Sequence, residues 1–196
     1  MLEIRTTGNL SARGKTLSGY AAVFNSEANL GTFSEIVRPG AFAKSLATGS
    51  SIRALYHHDA HALLGTTRGG TLQLREDGKG LAFELALPDT THGRDLAILV
   101  DRGDVAGCSF GFRVADGGDR WEQRGTTLVR ELLTVDLVEI TLTADPAYQD
   151  TSVAMRSRQA FEQARNFDEF LRNPITGVSP EYRQRPDCNM LWIELS

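Results

Sequence analysis

Cysteine is scarce in this chain: two residues in 196, Cys108 and Cys188, lie 80 positions apart with no CxxC neighbour. That excludes a disulfide scaffold and a zinc ribbon, and it fits a reducing compartment. Basic charge is not in excess either, with 21 Lys and Arg against 25 Asp and Glu, a net charge of −4 and a pI near 5.6. A phosphate binder usually carries a basic face, so nucleic acid is not the expected partner. No apolar run approaches the roughly 18 to 20 residues that a membrane span needs. The opening Met1-Leu2-Glu3-Ile4-Arg5 lacks the basic-then-apolar build of a signal peptide. No internal repeat is visible at periods of about 20 to 50 residues. The expectation is a soluble intracellular protein. Hydrophobic residues make up 41% and charged residues 23%, ordinary for a globular chain and unlike a disordered, collagen-like or coiled-coil one.

What the chain has is glycine, 19 residues of it with 6 prolines, punctuating many short β-like runs. Strands are expected at Leu2 to Thr7, Thr16 to Phe24, Phe33 to Val37, Leu72 to Arg75 and Leu81 to Leu87. The Asp77-Gly78-Lys79-Gly80 stretch between the last two reads as a hairpin turn. Further strands are expected at Ala106 to Val114, Trp121 to Arg124, Thr127 to Leu133 and Val135 to Thr143. If the last is extended throughout, Val135, Leu137 and Glu139 share one face. Gly8 to Lys15 reads as a polar link. Two short helices fit between the strands: Ala41 to Ala47 after Pro39-Gly40, and about His92 to Arg102, with Asp89, Thr90 or Thr91 as its cap. An amphipathic stretch follows from Ser157 to Arg172, then a Pro- and Gly-broken polar tail. The expected organisation is a domain over residues 1–156, a helix over 157–172 and a flexible tail over 173–196. Many strands without repeated strand–helix alternation point to an α+β fold: a mostly antiparallel β-barrel with a few short helices around it.

Three groups of residues are candidates for chemistry. Three of the four histidines cluster in Tyr56-His57-His58-Asp59-Ala60-His61. They read as a metal site, as a loop holding one general base, or as a polar surface turn. Ser109 lies in Gly107-Cys108-Ser109-Phe110-Gly111-Phe112. A serine hydroxyl becomes a useful nucleophile when a neighbouring imidazole takes its proton. The GxSxG spacing here is not the nucleophile elbow, because Phe112-Arg113-Val114 continue as strand. In a strand, a serine between glycines also reads simply as a small residue at a tight packing position. Glu139 is the third, a carboxylate in an otherwise apolar strand, costly there unless a charged or hydrogen-bonding partner meets it. It reads as an orienter of a histidine or as an exposed residue at a strand edge.

In their order along the chain, several blocks resemble the prohead (capsid maturation) serine proteases of tailed bacteriophages, relatives of the herpesvirus assemblins. They are Gly19-Tyr20-Ala21-Ala22-Val23-Phe24, the Phe33 to Phe42 run with Pro39-Gly40-Ala41-Phe42, His57-His58-Asp59 with Leu63-Leu64-Gly65, and Leu87-Pro88-Asp89-Thr90 with Arg102-Gly103-Asp104. The Cys108 to Phe112 block and Asp136-Leu137-Val138-Glu139-Ile140, leading into Pro146-Ala147-Tyr148, complete the set. The resemblance runs from about Ser18 to Ser157.

That resemblance implies Ser109 as nucleophile and His58, directly before Asp59, as base, with His57 the lesser candidate. Assemblins carry a second histidine on the strand after the nucleophile. The matching region here has none, and Glu139 is the acid best placed to substitute, with His61 and Asp59 as other orienters and His92 as a helix-start residue. The implied fold is an assemblin-like barrel. The implied task is endopeptidase cleavage of the scaffold, or of the scaffold-like arm of the major capsid protein, inside the immature capsid in the host cytoplasm, and of the protease itself. No cofactor, metal, nucleic acid or membrane is expected, and the assemblin likeness makes a homodimer one expectation. Two rival readings stand beside it: a non-catalytic internal scaffold derived from such a protease, and a metal-dependent hydrolase built on His57, His58 and His61.

Overall fold

The structure, a computed structural model, describes residues 2–8 and 10–144, together with 159, 162, 163 and 165. In chain order the elements are β1 (Glu3–Gly8), β2 (Leu10–Arg13), β3 (Thr16–Val23), β4 (Glu27–Asn29), β5 (Ser34–Val37) and α1 (Ala43–Ala47). There follow β6 (Arg53–Tyr56), β7 (Asp59–Thr66), β8 (Leu72–Glu76), β9 (Gly80–Ala86) and α2 (Thr91–Asp101). The last four are β10 (Gly107–Val114), β11 (Asp119–Arg124), β12 (Thr127–Leu132) and β13 (Val135–Thr143). Met1–Ala154 forms one compact unit and Met155–Ser196 another. Within the expected Ser157–Arg172 helix, Gln159, Glu162, Gln163 and Arg165 are helical. The rest of that stretch and the expected tail lie outside the described residues.

The mostly β, α+β expectation is met. The strands form three sheets, ordered β1-β10-β13-β6-β7, β11-β12-β5-β4 and β2-β3-β9-β8, and no ring of hydrogen-bonded strands closes into a barrel among the described residues. Pairing is antiparallel except at β12–β5 and β13–β6, which are parallel. Local chemistry explains several boundaries. Asp77 Oδ1 accepts from the backbone N–H of Lys79 and Gly80, closing the β8–β9 hairpin where the sequence signals a turn. The Thr90 hydroxyl accepts from Gly93 N–H at 3.3 Å and so caps α2. Ser45 ties α1 to the start of β13 twice: its hydroxyl donates to the Val135 carbonyl and accepts from Leu137 N–H.

Two expectations need correction. The supposed link Gly8 to Lys15 contains β2, which pairs with β3 as a hairpin. Val135 to Thr143 is extended but does not keep one alternation. Gly111 pairs with Glu139 while Phe112 pairs with Leu137, so Val138 is an extra residue, a β-bulge. Before it Val135 and Leu137 enter the core; after it Ile140 and Leu142 do. Glu139 is therefore turned to the face opposite Leu137. The apolar core gathers Cys108, Phe110 and Phe112 of β10 with Phe42, Ala54 and Leu64. Phe42 meets Phe110 edge-on with ring centroids 5.4 Å apart.

The β1 edge of the first sheet is held to the second by buried charge. Arg130 donates to both oxygens of Glu3, to Glu35 and to Asp119. Arg5 donates to Glu3 and Glu35. Burial alone would raise the Glu3 pKa, yet the hydrogen bonds and charges of Arg130 and Arg5 outweigh it and hold that pKa below its ordinary value. Nearby, the fully buried Glu131 carboxylate receives Arg38, Arg120 and Arg124. Led by the Arg38 hydrogen bond, they pull its pKa from 4.5 down to about 2. A carboxylate depressed in this way stabilises the fold fully above its unfolded pKa, and that contribution is lost as pH falls from about 4.5 to about 2. Denaturant melts of wild type and Glu131→Gln should thus differ most near neutral pH and converge toward pH 2.

Candidate active site

The first sheet has one face in the core and one away from it, and the second face collects the polar residues. On β10, Cys108, Phe110 and Phe112 point into the core, so Ser109 and Gly111 lie on the other face by strand alternation. The bulge at Val138 puts Glu139, Thr141 and Thr143 of β13 on that same face, with Ser109 directly opposite Thr141. On the far side of β13, β6 pairs in parallel, Arg53 against Glu139 and Leu55 against Thr141. Because β6 and β13 run the same way, the chain leaving β6 turns at the level where β13 ends.

That turn carries the histidines. Tyr56 pairs with Asp59, leaving His57 and His58 as the central residues of a two-residue hairpin. Both have positive φ, +51° and +59°, as a type I′ turn requires. Positive φ is uncommon outside glycine, with asparagine, aspartate and histidine the best tolerated, and each such residue costs on the order of 1 kcal/mol. His58 Nδ1 lies 2.9 Å from Glu139 Oε1. With the carboxylate ionised, Nδ1–H is the donor and Nε2 is left as the free acceptor. His57 Nδ1 exchanges a hydrogen bond with the Thr143 hydroxyl at 3.3 Å, and its ring packs on Tyr56 at 4.2 Å. Arg53 Nη2 reaches the second Glu139 oxygen at 3.3 Å.

The structure thus brings His58 and Glu139 into contact and sets Ser109 on their face, two residues from Gly111, the cross-strand partner of Glu139. Asp59, an alternative orienter, is engaged elsewhere: its Oδ1 accepts from His61 N–H. His92 stands in the first turn of α2. Among the described residues no three His, Cys, Asp or Glu side chains converge as a metal would need. Cys108, next to the serine, is buried, and burial raises its thiol pKa to about 12, which leaves almost none of it as the reactive thiolate. Two surface clefts, over the third sheet and beside α1, contain none of Ser109, His58 and Glu139.

Sequence reasoning missed Arg53, Thr141 and the purpose of Gly111. A Cβ on Gly111 would stand 2.8 Å from Glu139 Cγ, so only glycine leaves room for the carboxylate to reach His58. Gly111→Ala is expected to keep the fold and reduce turnover about 10- to 100-fold, the scale of a misplacement near 1 Å. Thermal melting beside steady-state cleavage rates checks both halves of that expectation. Ser109 is 1% exposed and Glu139 4%. Any substrate would reach them only once this face opens.

Comparison with known proteins bears on the family and the fold. A search of curated proteins returns no match. Among solved structures, the bacteriophage T4 capsid assembly protease, gp21, is similar in fold: TM-score 0.51 at 11% identity, covering 74% of this chain and 98% of that one. Residues 1–166 match the family described as caudovirus prohead serine protease. That match takes in every strand and both helices of the three-sheet unit, and the chain belongs to the caudovirus prohead serine protease family.

Proposed function

We propose that this chain is a serine endopeptidase of capsid maturation, acting inside the immature capsid on the scaffold or the scaffold-like arm of the major capsid protein, and on itself. The observation that carries the reading is the 2.9 Å contact of His58 Nδ1 with Glu139 on the sheet face that bears Ser109. A buried carboxylate fixing one imidazole tautomer is what a general base beside a serine needs. A scaffold has no use for it, nor for two histidines held at positive φ. Family membership and the likeness in fold to a capsid assembly protease support the same reading.

The chemistry is acyl transfer. Ser109 Oγ attacks the scissile carbonyl as His58 Nε2 takes its proton. His58 then protonates the leaving amine, and a water activated by the same imidazole hydrolyses the acyl-enzyme. Glu139 holds the tautomer and stabilises the imidazolium, and Arg53 fixes the carboxylate from its other oxygen. No metal or cofactor enters.

The test is co-expression with the major capsid protein of the same phage, wild type against Ser109→Ala, read by intact mass. Shortening of the capsid protein with the wild type alone supports the protease and locates the scissile bond. Equal shortening with both removes Ser109 as nucleophile. No shortening, with shells still dependent on this chain, returns the scaffold reading. In the same series His57→Asn, which suits positive φ, should cut like wild type, whereas His58→Asn should not.

A further inference from the structure

Three residues of β13 share the face of Ser109, and two of them have found histidines: Glu139 holds His58 and Thr143 holds His57. The third, Thr141, lies between them. It is 0% exposed, and its hydroxyl has no hydrogen-bond partner among the described residues. A buried hydroxyl without a partner is disfavoured, and valine would fill the same space without that cost. The side chain directly across the ladder is Ser109. Opposed residues of an antiparallel pair have Cβ atoms about 4.5–5.5 Å apart, within reach of a hydroxyl–hydroxyl hydrogen bond after rotation about χ1.

We infer that Thr141 donates a hydrogen bond to Ser109 Oγ when that oxygen carries charge during acyl transfer. This rests on the reading of Ser109 as nucleophile. Charge develops on Oγ twice: as its proton passes to His58 Nε2 while the bond to the carbonyl carbon forms, and as that bond breaks and Oγ leaves the acyl-enzyme, recovering the proton from His58. A donor unpaired in the resting state and paired only at these points favours the transition states over the ground state. Held in a water-excluded site, it also needs little reorganisation at the moment of reaction. The row Glu139, Thr141, Thr143 is then one strand serving the base, the nucleophile and the turn in succession.

Thr141→Val removes the hydroxyl at constant shape, and Thr141→Ser keeps it. The probe is p-nitrophenyl acetate, with acetylation of Ser109 followed by intact mass and nitrophenolate release on the full-length chain. The valine variant is expected to show burst and turnover rates about tenfold lower, the worth of one hydrogen bond, with a melting temperature equal to or above wild type. The serine variant should restore both rates. Wild-type rates in Thr141→Val overturn the inference, and so does slowing accompanied by a lower melting temperature, since the hydroxyl would then be structural. A wild type acetylated no more than Ser109→Ala overturns the nucleophile reading, and this inference with it. Acetylated wild type with an indifferent valine variant overturns only the inference.

Discussion

Ser109→Ala and His58→Ala should each reduce cleavage by on the order of 10⁵- to 10⁶-fold, and the double substitution should be no slower than either single one. Groups that act as a unit lose their joint effect once any member is gone. Glu139→Gln should cost less, on the order of 10⁴-fold, because the amide keeps the shape but presents the wrong partner to Nδ1 and favours the wrong tautomer. Arg53 touches only the far oxygen of Glu139, at 3.3 Å, and its side chain is 41% exposed, so Arg53→Lys should be the mildest of the series. Single-turnover rates for the full set of single and double variants check the pattern. Simple multiplication of the Ser109 and His58 effects would show that the two residues do not work together, and the arrangement would lose its claim to be a catalytic unit.

Arg130→Met should be the most destabilising charge substitution in the protein, by about 3–5 kcal/mol. The Arg130 side chain is 4% exposed and pairs with Glu3, Glu35 and Asp119. Without it Glu3 and Glu35, both nearly water-free, are left with Arg5, and Asp119 with the Trp121 indole N–H. The large effect is therefore the desolvation of what is left behind, not the attraction of one pair. The charges of Glu3, Glu35 and Asp119 hold the Arg130 proton well above the ordinary range against the opposing effect of burial. Removing the guanidinium takes away what keeps the Glu3 carboxyl ionised, so the deficit against wild type should shrink as pH falls and that carboxyl protonates. Urea melts at pH 7 and pH 4.5, with the emission of Trp121, whose ring lies 5.3 Å from the guanidinium, measure both. The variant should also lose activity before it unfolds. Glu3 belongs to β1, and β1 pairs along β10, with Thr6 opposite Ser109.

Much of the fold was legible because its strands alternate or are bounded by turn residues: β3, β9 and β12 fall close to where apolar spacing puts them. What was not legible depends on partners. The parallel pairing of β13 with β6 has no local signal, since it joins segments more than eighty residues apart. The bulge at Val138 changes the face of Glu139 without changing the composition of the strand. Read as uniform alternation, the segment sends a carboxylate into the core. The histidine cluster reads as a polar surface turn only as one of three alternatives, because the two central positions of the β6–β7 hairpin carry histidines where Asn-Gly or Asp-Gly would announce it. Ser109, Glu139 and the histidine cluster stand out by residue type, and the resemblance adds the choice of His58 and the role of each. The hydrogen bond between the last two belongs to the folded chain alone, and so does the burial of Glu3, Glu35 and Arg130, whose charge reads as surface in a sequence.

The position of β13 has a consequence for how the protein comes into being. It is the last strand of the described chain to be made, yet it lies between β10 and β6 in the middle of its sheet. Until it is inserted, β10 and the histidine hairpin have no common neighbour, and the carboxylate that meets His58 has not entered the fold. Contacts of such sequence separation form late, after the cost of closing a long loop has been met. On the proposed mechanism, a nascent chain that already holds both serine and histidine is inert, because synthesis through Thr143 is the step that brings them together.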